Sequence, residues 1–181
     1  MRLSAVATLP ALVLAACQQQ AEPRDQLDHQ TIALDELKPR QANAFPSPDT
    51  EDAAWTVDAN GKAIHFGNVG TKPFLSLDCV LDSAAEQIVL IRHAQAWPGQ
   101  SALFPVYGNG VISRFFADTR LTDGQWRWES TVSADDPMLD VFTGPREITA
   151  TLPGRGTLKL HGSRIPGEFV TWCRNGGRAA A

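Results

Sequence analysis

Only three cysteines occur in 181 residues, and no two of them are spaced as Cys-x-x-Cys. That absence removes the thiol clusters of zinc modules and of thioredoxin-like redox centres. No Gly-x-Ser-x-Gly is present, so the serine elbow of α/β-hydrolases is missing as well. Like charges never gather into a block, and the net charge is -4. The clustered Lys and Arg that hold phosphates are therefore lacking, and nucleic acid is not an expected partner. Asp135, Asp136 and Asp140 lack the glycine and closing glutamate of a calcium loop, and read as an acidic helix start. Glu86 and Glu129 have no paired acid that the sequence can place, so a two-carboxylate glycosidase has no support. Neither a metal nor a cofactor is expected.

What the chain does have begins at its N-terminus. Arg2 is followed by an apolar run, Leu3 to Leu14, interrupted by Ser4, Thr8 and Pro10. Twelve residues fall short of the roughly 20 that a helix needs to cross a bilayer. Small residues at Ala15 and Ala16 complete the three-part layout of a secretory signal. Leu14-Ala15-Ala16-Cys17 resembles the lipobox of bacterial lipoproteins, matching it at all four positions. The resemblance implies that residues 1–16 are removed and that Cys17 carries a diacylglyceryl thioether and a third, amide-linked chain. Each buried methylene contributes about 0.8 kcal/mol and one acyl chain anchors only marginally, whereas three hold firmly. Gln18 stands where an Asp would favour inner-membrane retention in that family, which implies the outer membrane, facing the periplasm.

Removing 16 of 181 residues leaves 165, and losing the charge of Arg2 takes -4 to -5. That length suits one domain and a tether. Residues 17–53 are rich in glutamine, proline and acids and poor in large apolar side chains, a composition that cannot offset backbone entropy. They read as a flexible tether with a span of roughly 30 to 36 Å. Within it Leu27, Ile32, Leu34 and Leu37 have the spacing of one side of a brief helix that Pro39 stops, and are read as a transient turn in the linker rather than a docking helix, with His29 expected to be solvated. With Cys17 committed to lipid, Cys79 and Cys173 remain in an oxidising compartment, where a disulfide is the expected fate. Closing 94 residues contributes as much as about 4.6 kcal/mol in the chain-entropy model.

From Trp55 onward, short apolar runs alternate with turn chemistry. Strands are expected over 55–58, 63–66, 74–81, 87–93, 102–107, 111–116, 125–132, 147–152 and 157–161. Asn60-Gly61, Asn109-Gly110 and Asp123-Gly124 are turn signals, with Asn60-Gly61 expected to form a type I′ hairpin turn. Trp126 and Trp128 share one strand face and are both assigned to the core. Ile88 to Ile91, apolar on both faces, marks a central strand. Asp136-Pro137 starts a helical turn, and Ile165, Phe169, Trp172 and Cys173 recur at helical spacing on a closing helix. The expected fold is mainly β, an antiparallel sandwich or small meander barrel with one or two short helices, one at the C-terminus. One domain is expected over 54–174, with a disordered tail over 175–181.

Two groups of residues are functional candidates. Ile88-Val89-Leu90-Ile91-Arg92-His93 resembles the opening strand of histidine phosphatases, and Leu158-Lys159-Leu160-His161-Gly162 is similar to a later strand of that family. The resemblance implies His93 as nucleophile, with Arg92 and His161 stabilising phosphoryl oxygens. The plainer reading is that Arg92 and His93 end a central strand, and that His161, like His65, alternates outward. Trp97, in a Pro-Gly loop, and Tyr107, beside a glycine turn, are candidates for stacking on a sugar or partner peptide. In layout the chain is similar to the lysozyme-inhibitor lipoproteins, without their Ser-Gly and Tyr inhibitory segment. The leading expectation is a non-enzymatic, lipid-anchored module that binds a protein or glycan of the envelope; the alternative is a phosphohydrolase.

Overall fold

Period-two alternation of apolar and polar residues, the mark of a half-buried strand, runs through nine segments. They are β1 (Ala54–Val57), β2 (Ala63–Gly67), β3 (Leu75–Val80), β4 (Gln87–Arg92), β5 (Ser101–Gly108), β6 (Val111–Thr122), β7 (Gln125–Ser133), β8 (Ile148–Thr151) and β9 (Thr157–Leu160). A 3-10 helix, Pro137–Phe142, follows β7, and α1 (Ile165–Arg174) follows β9. A computed structural model describes residues 44–81 and 84–178. The signal, Cys17, the tether up to residue 43 with His29 and the Leu27 stretch, and residues 179–181 lie outside the described residues.

The strands pair in the order β1-β2-β3-β4-β7-β6-β5-β8-β9, all antiparallel, in one sheet that curls into a nearly closed barrel. Among the described residues no helix is long and apolar enough to cross a membrane. The inward faces meet in a core that includes Phe66, Phe104, Phe115, Leu75, Leu77 and Leu90, and Phe142 of the 3-10 helix joins them. Asp136 caps that helix by accepting from Met138 N–H at 2.8 Å. The inner face of α1 buries Phe169, Val170 and Cys173, and Cys173 forms the expected disulfide with Cys79 of β3. Gly176, at φ 64°, then turns the chain so that Gly177 N–H reaches Trp172 O at 3.0 Å. Residues 175–178, assigned to a tail by composition, form this cap.

Three local details differ from the sequence reading. Asn109-Gly110 and Asp123-Gly124 supply paired positive φ angles, but at Asn60-Gly61 only Gly61 is positive. Asp58 Oδ1 accepts from Asn60 N–H and Asn60 Oδ1 from Lys62 N–H, side-chain bonds that hold a wider loop in place of the I′ turn. Trp128 is in the core, whereas Trp126 is only half-buried. β4 ends at Arg92, opposite Trp128, so the β6–β7 hairpin carries Trp126 past its neighbour's end. Finally, the described residues 44–53, read as the end of the tether, lie beside β9. Phe45 N–H reaches Gly154 O at 3.1 Å, Thr157 N–H reaches Ser47 Oγ at 3.0 Å, and His161 Nε2 donates to Thr50 O at 2.7 Å. A Cβ at Gly156, where φ is 79°, would stand 2.6 Å from Ser47 Cα, so only glycine admits this segment.

Candidate functional site

Strand register determines which side chains meet on the outside of the barrel. His65 of β2 is opposite Ser76 of β3, Ser76 is opposite Ile91 of β4, and His93 lies diagonally beyond it. Ser76 Oγ is therefore flanked by two imidazoles, 2.8 Å from His65 Nδ1 and 2.8 Å from His93 Nε2. His93 Nδ1 is buried without a partner. A stranded N–H is worse than a bare acceptor nitrogen, so the proton of His93 sits on Nε2. His93 then donates to Ser76, Ser76 donates to His65 Nδ1, and His65 carries its own proton on Nε2. Burial, with the cations of Lys72 and Arg127 adding to it, holds the His93 pKa down at about 4. Burial likewise raises that of the neighbouring Asp78, against the opposing pull of His65. Ser76 is only 1% exposed, and its two hydrogen bonds tie three strands together. His65, expected to be merely solvated, is one of its members; its Ser76 partner is set by a register that a single sequence does not reveal.

The three residues of the phosphatase resemblance do not converge. His93 follows Arg92, the last residue of β4, and carries the pairing on through its N–H to Phe74 O, so the two side chains project to opposite faces. The Arg92 guanidinium is buried inside the barrel, where Nη1 donates to Phe74 O at 3.0 Å and His93 O at 3.1 Å, and Nη2 to Arg155 O at 3.3 Å. Burial lowers its pKa to about 10. His161 lines a different cleft with Thr50, Glu51, Glu147 and Lys159. Neither nitrogen of His93 faces open solvent in this arrangement, and the guanidinium serves backbone carbonyls where the resemblance would have it serve phosphate.

The two aromatic candidates separate. Trp97 is 45% exposed, but its ring lies 4.8 Å from the Arg155 guanidinium carbon, which is also 4.9 Å from the ring of Phe45, and the two ring centroids are 6.5 Å apart. Arg155 Nε donates to Gln95 O at 2.6 Å, fixing this stack over one end of the sheet. Trp97 thus packs against its own chain. Tyr107 has no such cover. It projects from the outer face of β5 with Leu103, and opposite them on β6 stand Ile112 and Phe116. The four are 43%, 47%, 57% and 61% exposed in that order. Leu103 is paired with Phe116 and Tyr107 with Ile112, with Pro105 and Arg114 between the two pairs. β8 pairs only with Val106–Gly108, so Pro105 falls where β5 has a strand on one side alone, as a residue without an N–H requires. Single exposed apolar residues are ordinary, whereas these four stand side by side in register on one face.

One further cleft, of about 530 Å³, borders α1 and is lined by Pro145, Arg164, Glu168, Thr171 and Trp172 among others. Its charged groups all lie on α1 or just before it, with no buried polar group converging on the space. Comparison with protein-family models, with curated proteins and with solved structures finds no match to this chain.

Proposed function

We propose that this chain is a lipid-anchored envelope protein, held at the outer membrane facing the periplasm, that has no chemistry of its own and binds a partner through the outer face of β5 and β6. The observation that carries this reading is the paired exposure of Leu103, Tyr107, Ile112 and Phe116. Three of these side chains have no hydrogen-bonding group and the fourth has only a phenol. Such a surface suits an apolar protein face better than a glycan, whose hydroxyls require polar partners. The lipobox-like Leu14-Ala15-Ala16-Cys17 supports the address. The test is a photo-crosslinking residue placed at Phe116 in cells, with Lys62 of the β1–β2 loop as control. A discrete adduct at Phe116 that Lys62 does not give is expected, and Cys17→Ser should release the chain from the membrane fraction. Identical behaviour at both positions would overturn the reading.

A further inference from the structure

The outward residues of β6 are Ile112, Arg114, Phe116, Asp118 and Arg120, every second position of one long strand. Phe116 is the most exposed apolar side chain on this face, and Arg114 and Asp118 stand two positions to either side of it. Both are exposed, and neither has a hydrogen-bond or ion-pair partner through its side chain among the described residues. Arg120 and Arg127, by contrast, both pair with Glu129.

A lone cation and a lone anion placed evenly about an apolar centre are complementary to themselves. We infer that the partner on this face is a second copy of the chain, related by a two-fold axis that crosses β6 at Phe116. This rests on the proposed function above and names its partner. The rotation lays the copy's β6 antiparallel over the first, so Phe116 meets Phe116 and each Arg114 lies over the other copy's Asp118. Two residues of strand span about 6.8 Å. Sheets packed face to face within about 30° of each other displace the two charges sideways by only about 3.4 Å, which an arginine side chain bridges. Leu103, opposite Phe116 in register, also falls on the axis and doubles the apolar centre. Ile112, four positions before Phe116, covers the aliphatic stem of the copy's Arg120, four positions after it. Two copies anchored in one membrane also meet at a raised effective concentration.

The test uses the lipoprotein in its own membrane, with Leu103→Cys treated with a short bis-maleimide. Because position 103 lies on the axis, a covalent species of twice the monomer mass is expected, while Lys62→Cys gives none. Adding Arg114→Asp, or separately Asp118→Arg, sets like charges opposite each other twice and lowers the yield at least about tenfold. Co-expressing those two reversed chains turns every like pair into an opposite pair and restores the yield, as does R114D/D118R in one chain. Unchanged melting of each variant excludes misfolding as the cause. Absence of the covalent dimer, or a dimer indifferent to both reversals, overturns the inference. If the probe at Phe116 still captures a different protein, the binding reading stands without self-association; if it captures nothing, both fail.

Discussion

On the outer face of β2 to β4, Ser76 Oγ lies 2.8 Å from an imidazole nitrogen on either side. On the outer face of β5 and β6, four large apolar side chains are 43–61% exposed, and an arginine and an aspartate lack side-chain partners among the described residues. Both walls belong to one sheet and bury the same kind of inner face. A barrel needs only its inward residues for a core, so each outer wall is free to take a separate role. Polar side chains facing outward can satisfy one another within the chain and tighten it. Apolar ones cannot, and their surface is desolvated only by another molecule.

The largest expected effect sharpens this contrast. The disulfide joins β3 to α1, which packs on β1, β2 and β4 and on the 3-10 helix. Replacing both cysteines in C79A/C173A should lower stability by about 3 to 4 kcal/mol. Amide exchange should quicken first in β2 to β4, with β5 and β6 following only on global unfolding. Equal acceleration in both walls would show that they do not differ in cohesion. A smaller effect concerns pH. His93 titrates at about 4 in the folded chain and near 6.5 unfolded, so between those values the unfolded state binds more protons. Stability is therefore fully present above pH 6.5 and falls as pH drops toward 4, by about 1 to 2 kcal/mol once the water that reaches part of the ring is allowed for. Melting temperature against pH should show this slope and lose it in His93→Gln. An unchanged slope would remove His93 from the polar wall's account. The smallest effect is expected on the apolar wall. Phe116→Ser, at a position already open to water, should shift stability by no more than about 0.5 kcal/mol while abolishing the crosslink, and a loss several times larger would mean that Phe116 belongs to the fold.

The architecture was legible because period-two alternation and turn chemistry are local. Ile148 and Ala150 against Thr149 and Thr151, or Ile64 and Phe66 against His65, identify inner and outer faces without any neighbour. What the residues could not show is pairing between strands distant in sequence. β6 was expected to stop at Phe116, yet it runs to Thr122 because Asp118–Thr122 find β7 beside them. The bond from His65 to Ser76 to His93 depends on two registers at once, and so stayed hidden among residues that looked solvated. Tyr107 was singled out for standing beside a turn; its three companions on the apolar face required the pairing of β5 with β6. Trp97 follows the other reading of a loop tryptophan, folded back against its own chain, and its neighbours Arg155 and Phe45 are too far apart in sequence to be foreseen. At Arg92 and His93 the plainer reading holds: they end a central strand, and a short motif can match while strand geometry sends its two side chains apart.

The bond from Thr157 to Ser47 bridges 110 positions of chain. A chain made from its N-terminus therefore presents residues 44–53 long before the strand they lie against exists. Residues 44–53 must wait without their partner until β9 arrives, so the last contacts to form include the earliest part of the domain to be made. A chain that stops before residue 157 would leave residues 44–53 with no strand to lie against.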